Sequence, residues 1–201
     1  MNKWILGLLI FACIVFYACN SSFTPKQTGY FKIDFPEKKY QLFNEAGYPY
    51  SFEYPVYANI SKDSTYFNET TENPWWINID FPQFSGRIYI SYKQIGEKNK
   101  FDTLIKHAFT LTGKHSSKAY SIEDSLFNNP YNVEGVFFRV GGNVATANQF
   151  FLTDSTRHFL RGALYFDATP NEDSLGIVNK FLIEDVKHII NTFTWRKQTK
   201  Q

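Results

Sequence analysis

From Tyr30 onward the chain alternates between apolar and polar positions. Phe31, Ile33 and Phe35 share one face against Lys32 and Asp34, until Pro36 ends the run. Tyr50, Phe52, Tyr54 and Val56 alternate in the same way with Ser51, Glu53 and Pro55. A period of two is that of a half-buried strand. Pro55 predicts an edge position, because proline has no N–H to give a ladder. Ile77, Ile79 and Phe81 form the next run; Pro82-Gln83-Phe84-Ser85-Gly86 supplies a turn, and Ile88, Ile90 and Tyr92 resume the period. That is the pattern of a hairpin with a longer loop. Residues 61–74 carry Asp63, Ser64, Asn68, Thr70, Thr71 and Asn73 and read as an exposed loop.

At Phe101 the period changes. Phe101, Leu104, Ile105, Ala108 and Leu111 fall on one helical face up to about Lys114. Extended structure returns over residues 133–140, bends at Gly141-Gly142-Asn143, and makes a second hairpin from residues 148–152 to 159–166 across the turn Asp154-Ser155-Thr156-Arg157. The last element has a start signal in Thr169, Pro170 and Glu172, which fit a cap, a first helical position and a capping box. Leu175, Val178, Phe181, Leu182, Val186, Ile189, Ile190 and Phe193 then trace a wide apolar stripe. Strands on either side of each helix and two hairpins predict an α+β fold, a largely antiparallel sheet covered by helices. No internal repeat is visible.

The first residues follow a different logic. Lys3 precedes an apolar run over residues 4–16, and Ala18-Cys19 is followed at once by polar Asn20, Ser21 and Ser22. This is the layout of a secretory signal peptide; the run is shorter than the ~20 residues that span a bilayer core as a helix. Phe16-Tyr17-Ala18-Cys19 is similar to a lipobox, with Phe16 where such boxes usually carry Leu. Ile10-Phe11-Ala12-Cys13 is also similar, but apolar Ile14, Val15 and Phe16 follow Cys13, whereas a polar tether follows Cys19. The expectation is a signal peptide at 1–18, a lipidated Cys19 with a tether to residue 29, one globular domain over 30–195 and a frayed tail at 196–201. Acyl chains on Cys19 hold a protein to a bilayer through ~0.8 kcal/mol per buried methylene. The sequence has two cysteines, both in this segment, so the mature monomer has no disulfide framework.

Composition narrows the function classes. Aromatic residues make up 19% of the chain, which suits a sheet-rich core. Lys and Arg number 21 against 19 Asp and Glu, with no basic stripe, so a nucleic-acid partner is not expected. His107 and His115 lie eight residues apart, unlike the four-residue spacing of a zinc-binding helix, and His158 and His188 have no ligand partner at motif spacing. No metal and no cofactor is expected. Asp154, Ser155 and His158 share one tight turn, which does not give the geometry of a serine–histidine–acid triad, and no Gly-x-Ser-x-Gly elbow occurs. No catalytic residue is therefore assigned. Gly141-Gly142-Asn143 precedes no helix and reads as a turn or bulge. Trp75 and Trp76 are adjacent, so on a strand they would point to opposite faces, and an exposed Trp is a candidate partner contact. Asp63-Ser64-Thr65, Asp154-Ser155-Thr156, Asp124-Ser125-Leu126 and Asp173-Ser174-Leu175 resemble a bacterial O-glycosylation acceptor; Ser64 and Ser155 are the loop copies and the candidate sites.

Several blocks recur in an order that carries a family resemblance: Gly29-Tyr30-Phe31-Lys32-Ile33-Asp34-Phe35-Pro36, Tyr48-Pro49-Tyr50-Ser51-Phe52-Glu53-Tyr54-Pro55, Trp76-Ile77-Asn78-Ile79-Asp80-Phe81-Pro82, and Phe159-Leu160-Arg161-Gly162-Ala163-Leu164-Tyr165-Phe166. Together they resemble the gliding-motility lipoprotein GldD family of Bacteroidetes over nearly the whole mature chain. The resemblance implies a membrane-anchored lipoprotein needed for gliding motility and linked to the type IX secretion apparatus; with no catalytic constellation in the sequence, the expectation is a non-enzymatic accessory or scaffold component of that machinery. Its partners would be the lipid bilayer, through acylated (palmitate-bearing) Cys19, and envelope proteins of that machinery, at the periplasmic face of the outer membrane. The element order also resembles the PsbP-like fold, an α/β/α sandwich. The rival expectation is a periplasmic glycan, peptidoglycan or small-molecule binder, or a hydrolase with an unfamiliar site, using Trp75 or Trp76 with Asp63, Glu69 and Glu72.

Overall fold

The computed structural model describes Trp4 and residues 32–196, apart from Ser64, Phe67 and Asn68 and the side chains of residues 64–70. Cys13 and Cys19, the signal peptide and tether, Ser64 and the 197–201 tail lie outside the described residues. The chain divides into two units, Met1–Ile33 and Asp34–Gln201. In the second, the elements run β1 (Tyr40–Phe43), β2 (Tyr50–Pro55), β3 (Asn59–Lys62), β4 (Thr65–Tyr66), β5 (Glu69–Thr70), β6 (Ile77–Phe81), β7 (Gly86–Gln94), α1 (Phe101–Gly113), β8 (Ala119–Asn128), β9 (Glu134–Gly142), β10 (Asn148–Thr153), β11 (His158–Phe166), α2 (Glu172–Thr192) and β12 (Thr194–Trp195).

Seven strands make the main sheet in the order β3-β6-β7-β11-β10-β9-β8, and β1-β2-β12 make a smaller one. Every pairing is antiparallel, as short hairpin connections favour. The fold class is α+β. One face of the main sheet presents Ile79, Ile88, Leu152 and Leu164, none more than 1% exposed. Against it pack Leu182, Val186 and Ile189 of α2 and the aromatic layer of the small sheet, where Phe52 stacks on Phe193 with the rings 7° from parallel. Burying each such side chain contributes roughly 1.5–3 kcal/mol. On the opposite face α1 covers only part of the sheet, seating Leu104 and Ala108 on Val136, Phe138, Phe151 and Phe159. Neighbouring strands approach closely enough that a Cβ on Gly135 would collide with the carbonyl oxygen of Phe151.

The hairpins β6–β7 and β10–β11 and both helices stand where the periodicity puts them. Four local readings change. Residues 32–39 form no strand; Ile33 and Phe35 are each 38% exposed, and Phe35 stacks on Phe181 with ring centroids 4.4 Å apart. The stretch 61–74 is not one loop: β3 runs on to Lys62, Asp63 is buried, and β4 pairs with β5. Helix α2 is capped by Asn171, whose side chain accepts the Ser174 N–H at 3.0 Å, rather than by Thr169. Strand β8 has no counterpart in the sequence reading, because most of its residues are exposed and no burial pattern marks it.

Candidate functional site

The part of the main sheet that α1 leaves bare is a polar floor. Along β3, β6, β7 and β11 the residues that alternate with Ile60, Ile79, Ile88 and Leu164 must point away from the core. The register lines them up across the strands: Asn59 opposite Asp80, Asp80 opposite Arg87, Arg87 opposite Tyr165. The next row sets Ser61 opposite Asn78 and Asn78 opposite Tyr89. These rows form the bottom of a cleft of about 1120 Å³ whose sides include Lys62, Asp63, Arg161 and Asp167.

The floor is internally organised. Ser61 Oγ donates to Asp80 Oδ2 at 2.8 Å, and Arg87 Nε donates to Asp80 Oδ1. The Asp80 carboxylate is the main reason the Arg87 guanidinium holds its proton more tightly than usual. The same guanidinium lies 5.5 Å from the Tyr89 ring centroid, and Tyr89 meets Tyr165 edge to face at 5.5 Å and 83°. Arg161 donates to Gln149 Oε1, which also accepts from Thr112 Oγ1 of α1 at 3.3 Å, so the cleft wall is tied to the helix. Asn78 is 6% exposed, and its Oδ1 has no hydrogen-bond partner among the described residues.

A second concavity of about 530 Å³ lies between α1 and the β8 end of the sheet, lined by Phe101, Ile105, Phe109, Leu126 and Phe127. Beside it β8 is one of the two outer strands of the sheet, β3 being the other. Its ladder shifts register between Ala119 and Ser121, Gly142 opposite has φ 120°, and Leu126 and Tyr120 are 85% and 75% exposed. Gly141-Gly142 therefore sits at a bulge, as its sequence reads.

A third cluster is structural. Asp185 of α2 is fully buried and accepts from Lys38 Nζ at 2.6 Å, Tyr57 at 2.5 Å and Tyr40 at 3.1 Å. Burial lowers the Lys38 pKa despite the carboxylate beside it. Burial and Asp185 together push Tyr40 up to about 12. With every Asp185 oxygen engaged from segments far away in sequence, this network fastens α2 to the chain before β1 and after β2.

The residues singled out in the sequence are mostly used locally. Trp75 and Trp76 do not straddle the sheet, since both precede β6. Trp76 is 8% exposed and its indole N–H donates to the Tyr92 carbonyl at 2.8 Å, which corrects its candidacy as a contact. Trp75 is half-buried, with its N–H given to Gly47. Asp154 Oδ1 accepts the N–H groups of Thr156, Arg157 and His158. Burial would raise its pKa, but these bonds outweigh it and hold the carboxyl low. Ser155 is exposed at φ 61°, with its hydroxyl 3.3 Å from Glu134. His158 is buried: it is 8% exposed, 2.6 Å from the Tyr92 hydroxyl, and stacked on Trp195. His188 contacts Glu53 at 2.8 Å. Of the carboxylates of the binder reading, Asp63 reaches the cleft, while Glu72 turns to Lys93 at 3.0 Å and Asn99 at 2.7 Å. Among the described residues no group of His, Cys, Asp and Glu is arranged to hold a metal, and no helix is long and apolar enough to cross a membrane. The cleft escaped the sequence reading because its residues are the ordinary polar half of strand alternation; only the register across four strands joins them.

A family model described as gliding motility lipoprotein GldD matches residues 20–195. No curated protein matches the sequence significantly. Among solved structures, the chain is similar to the solution structure of cyanobacterial PsbP (CyanoP) from Synechocystis sp. PCC 6803, at 10% identity, covering 80% of this chain and 95% of that one with a TM-score of 0.46.

Proposed function

The chain belongs to the gliding motility lipoprotein GldD family, and on that premise we propose that it is a non-enzymatic accessory or scaffold subunit of the gliding motility and type IX secretion machinery. Acyl chains on Cys19 anchor it, and the domain stands at the periplasmic face of the outer membrane. The family makes it a lipoprotein of the cell envelope with a motility-related role; the subunit's task is our own reading.

The observation that supports a holding role is the open edge of β8. An outer strand presents unpaired backbone N–H and C=O groups to which another chain can add. Here that edge adjoins the apolar concavity under α1, with Leu126 and Phe109 exposed beside it. Side chains with shifted pKa, such as Lys38 and Asp154, are engaged in networks that hold the fold, which favours a binding part over a catalytic one. Ser155, exposed at its hairpin tip, remains the proposed O-glycosylation position within the described residues.

Photo-crosslinkers at Leu126 and Phe109 in living cells test the reading. They should capture envelope proteins of the machinery, and Leu126→Lys should lose both the crosslinks and gliding while the protein stays folded and membrane-bound. Recovery of no machinery component from either position, with gliding intact in Leu126→Lys, would remove the scaffold role. Cys19→Ala should leave an unlipidated precursor; continued fatty-acid labelling of that variant would move the anchor to Cys13.

A further inference from the structure

We propose that the cleft on the face of the β3-β6-β7-β11 sheet that α1 does not cover binds a neutral, hydroxyl-rich saccharide chain. This site is separate from the β8 edge and does not depend on the scaffold reading.

The first support is Asn78. A buried carbonyl oxygen without a partner costs roughly 1–3 kcal/mol, and such groups are rare enough in folded proteins that each calls for an explanation. Asn78 is 6% exposed, stands on the cleft floor and has Oδ1 unbonded. That oxygen is itself closed to solvent, so the hydroxyl or amide N–H of a ligand meets it once the Asn78 side chain turns towards the cleft it lines.

The second is charge. The ionisable residues lining the cleft are Lys62, Arg87 and Arg161 against Asp63, Asp80 and Asp167, three of each sign. Such a lining carries no net charge, so it does not favour phosphate-rich or polyacidic ligands. The joined pair Asp80 and Arg87 offers an acceptor and several donors side by side, the complement of adjacent hydroxyls, each of which is both donor and acceptor.

The third is shape. Tyr89 and Tyr165, half-buried and packed edge to face, line the cleft floor. A sugar ring has the matching character, with apolar C–H faces and a hydroxyl rim. The volume of about 1120 Å³ is somewhat above that of ordinary small-ligand clefts, which fits several sugar units rather than one. On β6, β7 and β11 the backbone groups of the floor are paired on both sides within the sheet, so there only side chains can read a ligand.

The test is calorimetric titration of the full-length lipoprotein in detergent with chitotetraose, maltotetraose and mannotetraose as neutral probes and tetragalacturonate as the acidic one. Saturable binding of at least one neutral probe is expected, weakened about tenfold or more in Asn78→Leu and in Tyr89→Ala and unchanged in Leu126→Lys. If Asn78→Leu does not fold, Tyr89→Ala alone decides, provided its melting temperature matches the wild type. Binding of no neutral probe, binding of the acidic probe alone, or undiminished binding in folded Tyr89→Ala overturns the proposal. So does a photo-crosslinker at Tyr89 that captures only polypeptide while no neutral probe binds.

Discussion

Lys38 and Asp185 lie 147 positions apart in sequence, and the lysine Nζ stands 2.6 Å from the aspartate Oδ2. Asp185 is wholly inside the protein, while the Lys38 side chain keeps 29% of its exposure. The pair joins the segment before β1 to the middle of α2, and it governs how firmly the two ends of the domain are held.

Removing the cation leaves a buried carboxylate with only the hydroxyls of Tyr40 and Tyr57. Breaking one partner of a buried ion pair costs about 3–5 kcal/mol, and the partial exposure of Lys38 moves the expected loss for Lys38→Met to the low end of that range or below it. Urea unfolding measures it. Lys38→Met together with Asp185→Leu should recover part of the loss, because no charge is then left unpaired.

The start of α2 separates two caps. Asn171→Ala removes the side-chain bond to the Ser174 N–H and should cost about 1 kcal/mol. Thr169→Ala, at the position the sequence favoured, should stay within about 0.5 kcal/mol of the wild type. Thermal melts of the two variants side by side check the assignment, and a reversed order would return the cap to Thr169.

Acidification should weaken the fold through His158. Burial lowers its pKa from the ordinary 6.5, and the opposing pull of Asp154 does not restore it. As pH falls through 6.5 the unfolded chain takes up a proton that the folded chain still refuses. Stability is thus present above 6.5 and declines towards the folded pKa. His107 and His115 shift in the same direction, also chiefly through burial. The melting temperature should drop between about pH 7.5 and about pH 5.5, and His158→Gln should flatten part of that slope. An unchanged slope would show that His158 does not carry it.

Asn78 sets stability against binding. Asn78→Leu removes an unpartnered buried oxygen and supplies a better strand former, so the variant should be as stable as the wild type or gain about 1 kcal/mol. A clear loss in chemical unfolding would mean that Asn78 supports the fold itself.

Alternation was sufficient for much of the architecture. Ile77, Ile79 and Phe81, then Ile88, Ile90 and Tyr92, are the inward faces of β6 and β7, and the stripe from Leu175 to Ile190 is the buried side of α2. Where the pattern failed, the local signal did not match what the residues face. Phe31, Ile33 and Phe35 alternate like a strand, yet residues 32–39 pair with no ladder, and Phe35 is placed by the ring of Phe181. Strand β8 is held by β9 rather than by a buried face, so its own residues are mostly polar or exposed.

The sequence by itself determined the α+β class, both hairpins, the two helices and the family, because each is written in local periodicity or in ordered blocks of neighbouring residues. Only the tertiary structure decided that Trp76 is spent on Tyr92, that Lys38 answers Asp185, and that Asn78, Asp80, Arg87 and Tyr89 share one floor. The reason is physical. Burial period is a property of one strand, whereas a site on a sheet is set by the register between strands, and register depends on how distant segments pack together.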